Sequence, residues 1–178
     1  VPTPLSGEGD LAELGFPTPT PPPVLYPPGT QPGLMIPVAG VRPEQLLDTF
    51  DDARDGERQH QAIDIAAAAG TPVLAATDGP IARFYDSEAG GITIYQLNNS
   101  RTLVFYYAHL QRRAETLEEG DYVRKGSVIG YVGDTGNAGP GNFHLHFSIA
   151  RITSADRYFE GVNINPYPYL TNPALIPE

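Results

Sequence analysis

In the stretch GNFHLHFSIA (141–150), Phe143, Leu145, Phe147 and Ile149 fall at every second position, the pattern of a strand with one buried face. His144 and His146 stand between them, on the opposite face. From Ile63 onward, short apolar or alternating runs are separated by turn residues. Seven strands are predicted: AIDIAA (62–67), PVLAA (72–76), GPIARFYD (79–86), GITIYQLN (91–98), TLVFYYAHL (102–110), SVIGYVGD (127–134) and FHLHFSIA (143–150). Gly90–Gly91 and Asn98–Ser100 mark hairpin turns. One short helix is predicted at Pro43–Phe50, with proline early. Past Arg151 the chain reads as loops that wrap the surface. The fold class expected is mainly β: one compact antiparallel domain over residues 36–178.

Residues 1–35 break this pattern. Twelve of the 19 prolines fall within residues 1–43, and Phe16–Pro32 reads as extended polyproline II. Such a run can serve as a spacer from a lost anchor. It also carries Phe16, Val24, Leu25 and Tyr26, which can dock in a groove, so the extension is expected to pack on the domain. Its peptide-like character further suggests that it lies in the substrate groove and keeps the protein latent. The chain begins at Val1, which fits removal of a signal peptide or trimming.

Charge narrows the function. A formal net charge of -10 disfavours nucleic acid and anionic membrane surfaces, because phosphate binding needs clustered Lys and Arg. No apolar run is long enough for a transmembrane helix. With no cysteine, disulfides, thiolate metal sites and a cysteine nucleophile are all absent.

The chemistry is concentrated in four histidines: His60, His109, His144 and His146. In extended chain, offsets of two and four return a side chain to the same face, so His144 pairs with His146 and His60 with Asp64. Two imidazoles, one carboxylate and an open fourth position make up a catalytic zinc site. A lone histidine such as His109 is more often a structural hydrogen-bonding residue. Asp64 inside AIDIAA is harder to explain that way, since a carboxylate in an apolar strand needs a partner or a cation.

The segments HQAIDIAAAAGTPVLAATDGPI (60–81), YYAHL (106–110), GDYVRKGSVIGYVGDTG (120–136) and NFHLHFSI (142–149) resemble, in order, the lysostaphin-type zinc metallopeptidases, which cleave peptidoglycan. The resemblance covers roughly residues 36–150. It implies one zinc ion (Zn2+) per chain bound by His60, Asp64 and His146, with His109 and His144 in catalysis. Ala62 stands where the family has glycine, and the loop 136–142 reads as longer and looser than the usual link into the second motif. Zinc would activate a water and polarise the scissile carbonyl, a neutral His109 or His144 would move the proton, and Tyr106 and Tyr107 are oxyanion-stabilising candidates by position alone. The implied partners are stem or cross-bridge peptides of peptidoglycan, with the protein a monomer working in the periplasm or secreted. The acidic charge favours stem-peptide cross-links over glycine bridges in a teichoic-acid-rich wall. Two rival readings are a non-enzymatic activator of wall hydrolases on the same fold, and a lipoyl-carrier-like barrel that would modify Lys125, the single lysine.

Overall fold

The computed structural model describes residues 33–53 and 59–177. The expected packing of the proline-rich extension on the domain or in its groove concerns mainly residues 1–32, outside the described ones. Residues 33–38 lie on the domain: the Lys125 Nζ donates to Gly33 O (3.0 Å), Met35 N donates to Ala76 O (2.9 Å), and Val38 is fully buried.

All seven predicted strands are present, in order, within a nine-stranded antiparallel sheet. They are β1 (Ile63–Ala66), β2 (Pro72–Leu74), β3 (Gly79–Ser87), β4 (Gly91–Leu97), β5 (Leu103–Arg113), β7 (Val128–Val132) and β8 (His144–Arg151). Two short strands escaped the alternation pattern: β6 (Tyr122–Val123) and β9 (Val162–Ile164). At two or three residues, neither is long enough for alternation to repeat more than once, so only pairing to a neighbour defines it. The C-terminal segment includes β9 and the one-turn helix α1 (Tyr167–Thr171). Among the described residues, no helix is long and apolar enough to cross a membrane.

The helix predicted at Pro43–Phe50 shrinks to a single 3-10 turn, Pro43–Gln45. Leu46 leaves it in an extended conformation and is buried. Asp48 then accepts from Phe50 N and from the Asn165 side chain, and these bonds turn the chain toward β1 instead of continuing the helix.

The main sheet runs β1-β8-β5-β4-β3-β6, with β9 beside the far half of β8. β5 is the pivot. Its first half, Leu103–Ala108, pairs with β8, and its second half, Leu110–Arg113, pairs with β7, which in turn carries β2. The core lies on the face bearing Ile63, Phe105, Tyr107, Leu110, Ile129, Leu145, Phe147 and Ile149, all fully buried. Burying each such side chain contributes about 1.5–3 kcal/mol. Phe143 departs from the alternation and is 37% exposed, since strand pairing starts only at His144.

Candidate metal centre

The site stands on the other face of β1 and β8. Their antiparallel register sets Asp64 directly opposite His146 and Ala66 opposite His144. Directly opposed side chains start about 5 Å apart, so the pairing alone brings carboxylate and imidazole into contact. His146 Nδ1 lies 3.1 Å from Asp64 Oδ1. His60 precedes β1 and arrives differently from the extended segment expected of it. Gln61 takes a left-handed backbone (φ 53°), and the turn swings the His60 Nε2 to 3.0 Å from Asp64 Oδ1 and 3.0 Å from His146 Nδ1. These three residues present one nitrogen, one nitrogen and one oxygen to a common point. Their separations approach the roughly 3.4 Å edge of a tetrahedron with bonds of about 2.1 Å, and two imidazoles plus a carboxylate suit zinc. The donor set fits the metal.

The other two histidines flank this triad. His144 Nε2 lies 3.8 Å from Asp64 Oδ1, and the His144 and His109 rings are 4.9 Å apart. All five predicted site residues line one cleft of about 670 Å3, together with Tyr106, Asn137 and Asn142. A model of peptidase family M23 matches residues 58–166.

The chain belongs to peptidase family M23. The L-Ala–D-Glu endopeptidase of Bacillus subtilis is 33% identical over 131 residues, which are 68% of this chain and 38% of that protein. The DD-carboxypeptidase/endopeptidase Mpg of Neisseria meningitidis serogroup B is 44% identical over 118 residues, 64% of this chain and 23% of that protein. The chain therefore spans less than half the length of either relative. Among solved structures, the catalytic domain of the antimicrobial peptidase lysostaphin from Staphylococcus simulans matches with a TM-score of 0.56 at 27% identity, covering 81% of this chain and 91% of that one.

In this M23 chain, backbone carbonyls orient the imidazoles. The Nδ1–H of His60 donates to Thr49 O (2.8 Å), that of His109 to Thr135 O (2.7 Å) and that of His144 to Asn142 O (2.9 Å). Each bond fixes a tautomer and leaves Nε2 unprotonated and aimed inward. Sequence reasoning missed these partners because a carbonyl is common to every residue and leaves no signal. The loop 136–142, read as loose, is instead pinned: Gly141 N donates to Asp134, Asn142 N to Gly139 O and the Asn142 side chain to Ala138 O. Ala62, in the place of the family's glycine, is fully buried and accommodated.

His109 is reached against the alternation of its own strand. Phe105 and Tyr107 face the core, so a regular strand would send His109 there too. The register against β4 slips by one residue between the pairs Ile94–Tyr107 and Ile92–Leu110, leaving an extra residue on β5. His109 occupies that bulge with φ 59°, and the reversal turns its ring into the cleft. Left-handed backbone costs a non-glycine residue about 1–2 kcal/mol. It is held by His109 N donating to Gly90 O (2.8 Å) and by Thr135, whose hydroxyl donates to Leu110 O and accepts from Ile92 N. Gly91 (φ 67°) packs so tightly on Thr135 that a Cβ there would strike it.

Electrostatics follow from burial and these contacts. Burial alone would raise the Asp64 carboxyl, but the adjoining imidazoles of His146 and His60 outweigh it and hold the group well below the usual carboxylate range. Burial lowers His109 to about 4, against the opposing bond to Thr135, so its ring is neutral at physiological pH. Burial also lowers His146, partly offset by Asp64. Tyr106 lines the cleft and is raised to about 12 by burial. Tyr107 is no oxyanion candidate: it is fully buried, and its hydroxyl accepts from Ala76 N and donates to Gln96. Lys125 is half-buried and donates to Gly33 O, which does not suit a carrier lysine offered at a hairpin tip.

Proposed function

We propose that the chain is a zinc-dependent endopeptidase that hydrolyses peptide cross-links of bacterial peptidoglycan outside the cytoplasm, with one zinc ion held by His60, Asp64 and His146. When bound there, zinc supplies Lewis-acid polarisation of the scissile carbonyl and a water of lowered pKa. The chain's own part is proton handling. His109 and His144 offer unprotonated Nε2 atoms across the cleft, each with its Nδ1 proton committed to a backbone carbonyl. This pair takes the proton from the attacking water and delivers it to the departing amine. The open cleft beside them admits an extended peptide.

The observation that carries this reading is the pairing of a three-donor metal triad with two further oriented imidazoles in one cleft. A non-enzymatic activator of wall hydrolases would have no use for that second pair. Purified peptidoglycan is digested with the zinc-loaded protein, with and without a chelator, and new termini are identified by mass spectrometry. New termini that vanish with chelator are expected. An intact polymer despite stoichiometric zinc would overturn the proposal in favour of the activator.

A further inference from the structure

Gly90 and Gly91 close the turn between β3 and β4, and they are glycine for different reasons. Gly91 has a left-handed backbone (φ 67°), which favours glycine, whereas Gly90 lies outside that region. What Gly90 lacks is space. A Cβ there would strike the Tyr106 hydroxyl and stand 2.8 Å from the Thr93 methyl carbon and 3.3 Å from Ser87 Oγ. Tyr106 faces Tyr95 across the β4–β5 pair, with the rings 4.7 Å apart, and meets His146 edge-on at 6.1 Å. Its hydroxyl ends against the Gly90 backbone.

That backbone also holds His109, three residues further along β5. Gly90 O accepts from His109 N at 2.8 Å. Gly90 N donates to Ser87 Oγ at 2.9 Å, and Ala89 O accepts from Asn137 N at 2.9 Å, so polar bonds tie the turn from both sides. The phenol sets how closely the turn can settle onto β5. A closed path results: from β5 through the Tyr106 side chain to Gly90, and from the Gly90 carbonyl back to β5 at His109. The left-handed His109 is costly and persists only where its N–H meets an acceptor in the right place.

We propose that Tyr106 is a positioning residue for His109: its phenol, seated on Gly90, fixes the carbonyl that holds the His109 amide and so aims the imidazole into the cleft. The inference rests on the reading of His109 as a proton carrier. It assigns the Tyr106 hydroxyl to the turn and not to the oxyanion.

The test compares zinc-loaded variants that all carry Thr93→Ser, which removes the second obstructing carbon and keeps the hydroxyl that donates to Tyr85 O. In that background Gly90→Ala pushes the turn off the phenol. Muropeptide kcat should fall about 100-fold, with KM and zinc content held. Adding Tyr106→Phe removes the oxygen and lets the new methyl group take its place against the ring, so kcat should return to within about tenfold of the background. Tyr106→Phe alone leaves a gap and should cost roughly threefold to tenfold. An oxyanion donor would reverse this order: Tyr106→Phe alone would cost about 100-fold to 1,000-fold, and it would not rescue Gly90→Ala. That order, or a Gly90→Ala variant that loses stability at unchanged kcat, overturns the proposal. If Gly90→Ala does not fold, a compound variant that folds and turns over supports it, and one that stays unfolded overturns it. Exchange of the His109 amide proton, followed by NMR, reads the geometry without turnover. It should quicken in Gly90→Ala and slow again when Tyr106→Phe is added, and equal rates in all variants overturn the proposal. The expected exchange pattern in a protein that cuts no muropeptide keeps the role of Tyr106 in placing His109 and refutes the peptidase reading.

Discussion

Replacing Thr135 by valine tests how the bulged His109 is held. The Thr135 hydroxyl donates to Leu110 O at 2.6 Å and accepts from Ile92 N at 3.1 Å, while its carbonyl receives the His109 Nδ1 proton at 2.7 Å. Valine keeps the shape of the side chain and removes both hydroxyl bonds. Each buried backbone group left unpaired costs about 1–3 kcal/mol. Leu110 is fully buried, whereas Ile92 is half-buried and can recover part of its loss from water. The expected destabilisation is therefore about 2–4 kcal/mol, a fall in Tm of roughly 4–16 °C for a chain of this size. His109 sits at φ 59° and loses the brace on its bulge, so kcat should fall roughly 100-fold, as for a reacting group displaced by about 1 Å. Zinc content should not change, because no metal donor contacts Thr135. Thr135→Ser restores both bonds and should restore stability and turnover together. Urea denaturation, muropeptide kinetics and metal analysis read the three quantities. A valine variant within about 0.5 kcal/mol of the parent, one that sheds zinc, or a serine variant that fails to rescue would refute this account.

Three other expectations concern the metal and proton groups. His144→Ala should keep zinc and lose about 100-fold to 10,000-fold in turnover, whereas His146→Ala deletes a donor and should lose the metal itself; zinc analysis of both variants separates the roles. Thr49→Val removes the hydroxyl that accepts from Asp64 N at 3.1 Å, and zinc affinity in chelator competition should drop about 10-fold to 100-fold; an unaltered affinity would show that β1 is positioned without it. In the metal-free protein, acid should weaken the fold. Asp64 lies below its ordinary range when folded, so its stabilisation is complete above about pH 4 and is lost as pH falls through its lower folded value. His109 titrates at about 4 in the fold against 6.5 as a free group, so the unfolded chain takes up the proton first and stability drops as pH falls from 6.5 toward 4. Urea midpoints measured between about pH 7 and about pH 4.5 should fall, and His109→Gln should flatten that fall; a midpoint that rises toward acid would contradict the sign.

The sequence by itself determined the strands and most of the metal chemistry. Alternation in FHLHFSIA put His144 and His146 on one face, and a carboxylate within AIDIAA had few explanations besides a cation. Both are local properties, carried by a period of two and by the cost of burying charge. Tertiary structure alone decided how the pieces meet. The pairing of β1 with β8 set Asp64 against His146, and the turn at Gln61 brought in His60 without an extended segment. His109 shows the limit most clearly. Its strand reads as regular, and regular alternation buries it with Tyr107. The bulge that turns it outward arises where β5 changes partners from β8 to β7, and no residue of β5 announces that exchange. The carbonyls of Thr49, Thr135 and Asn142 were invisible for a related reason: their identity as hydrogen-bond partners belongs to position in space, and every residue carries the same carbonyl.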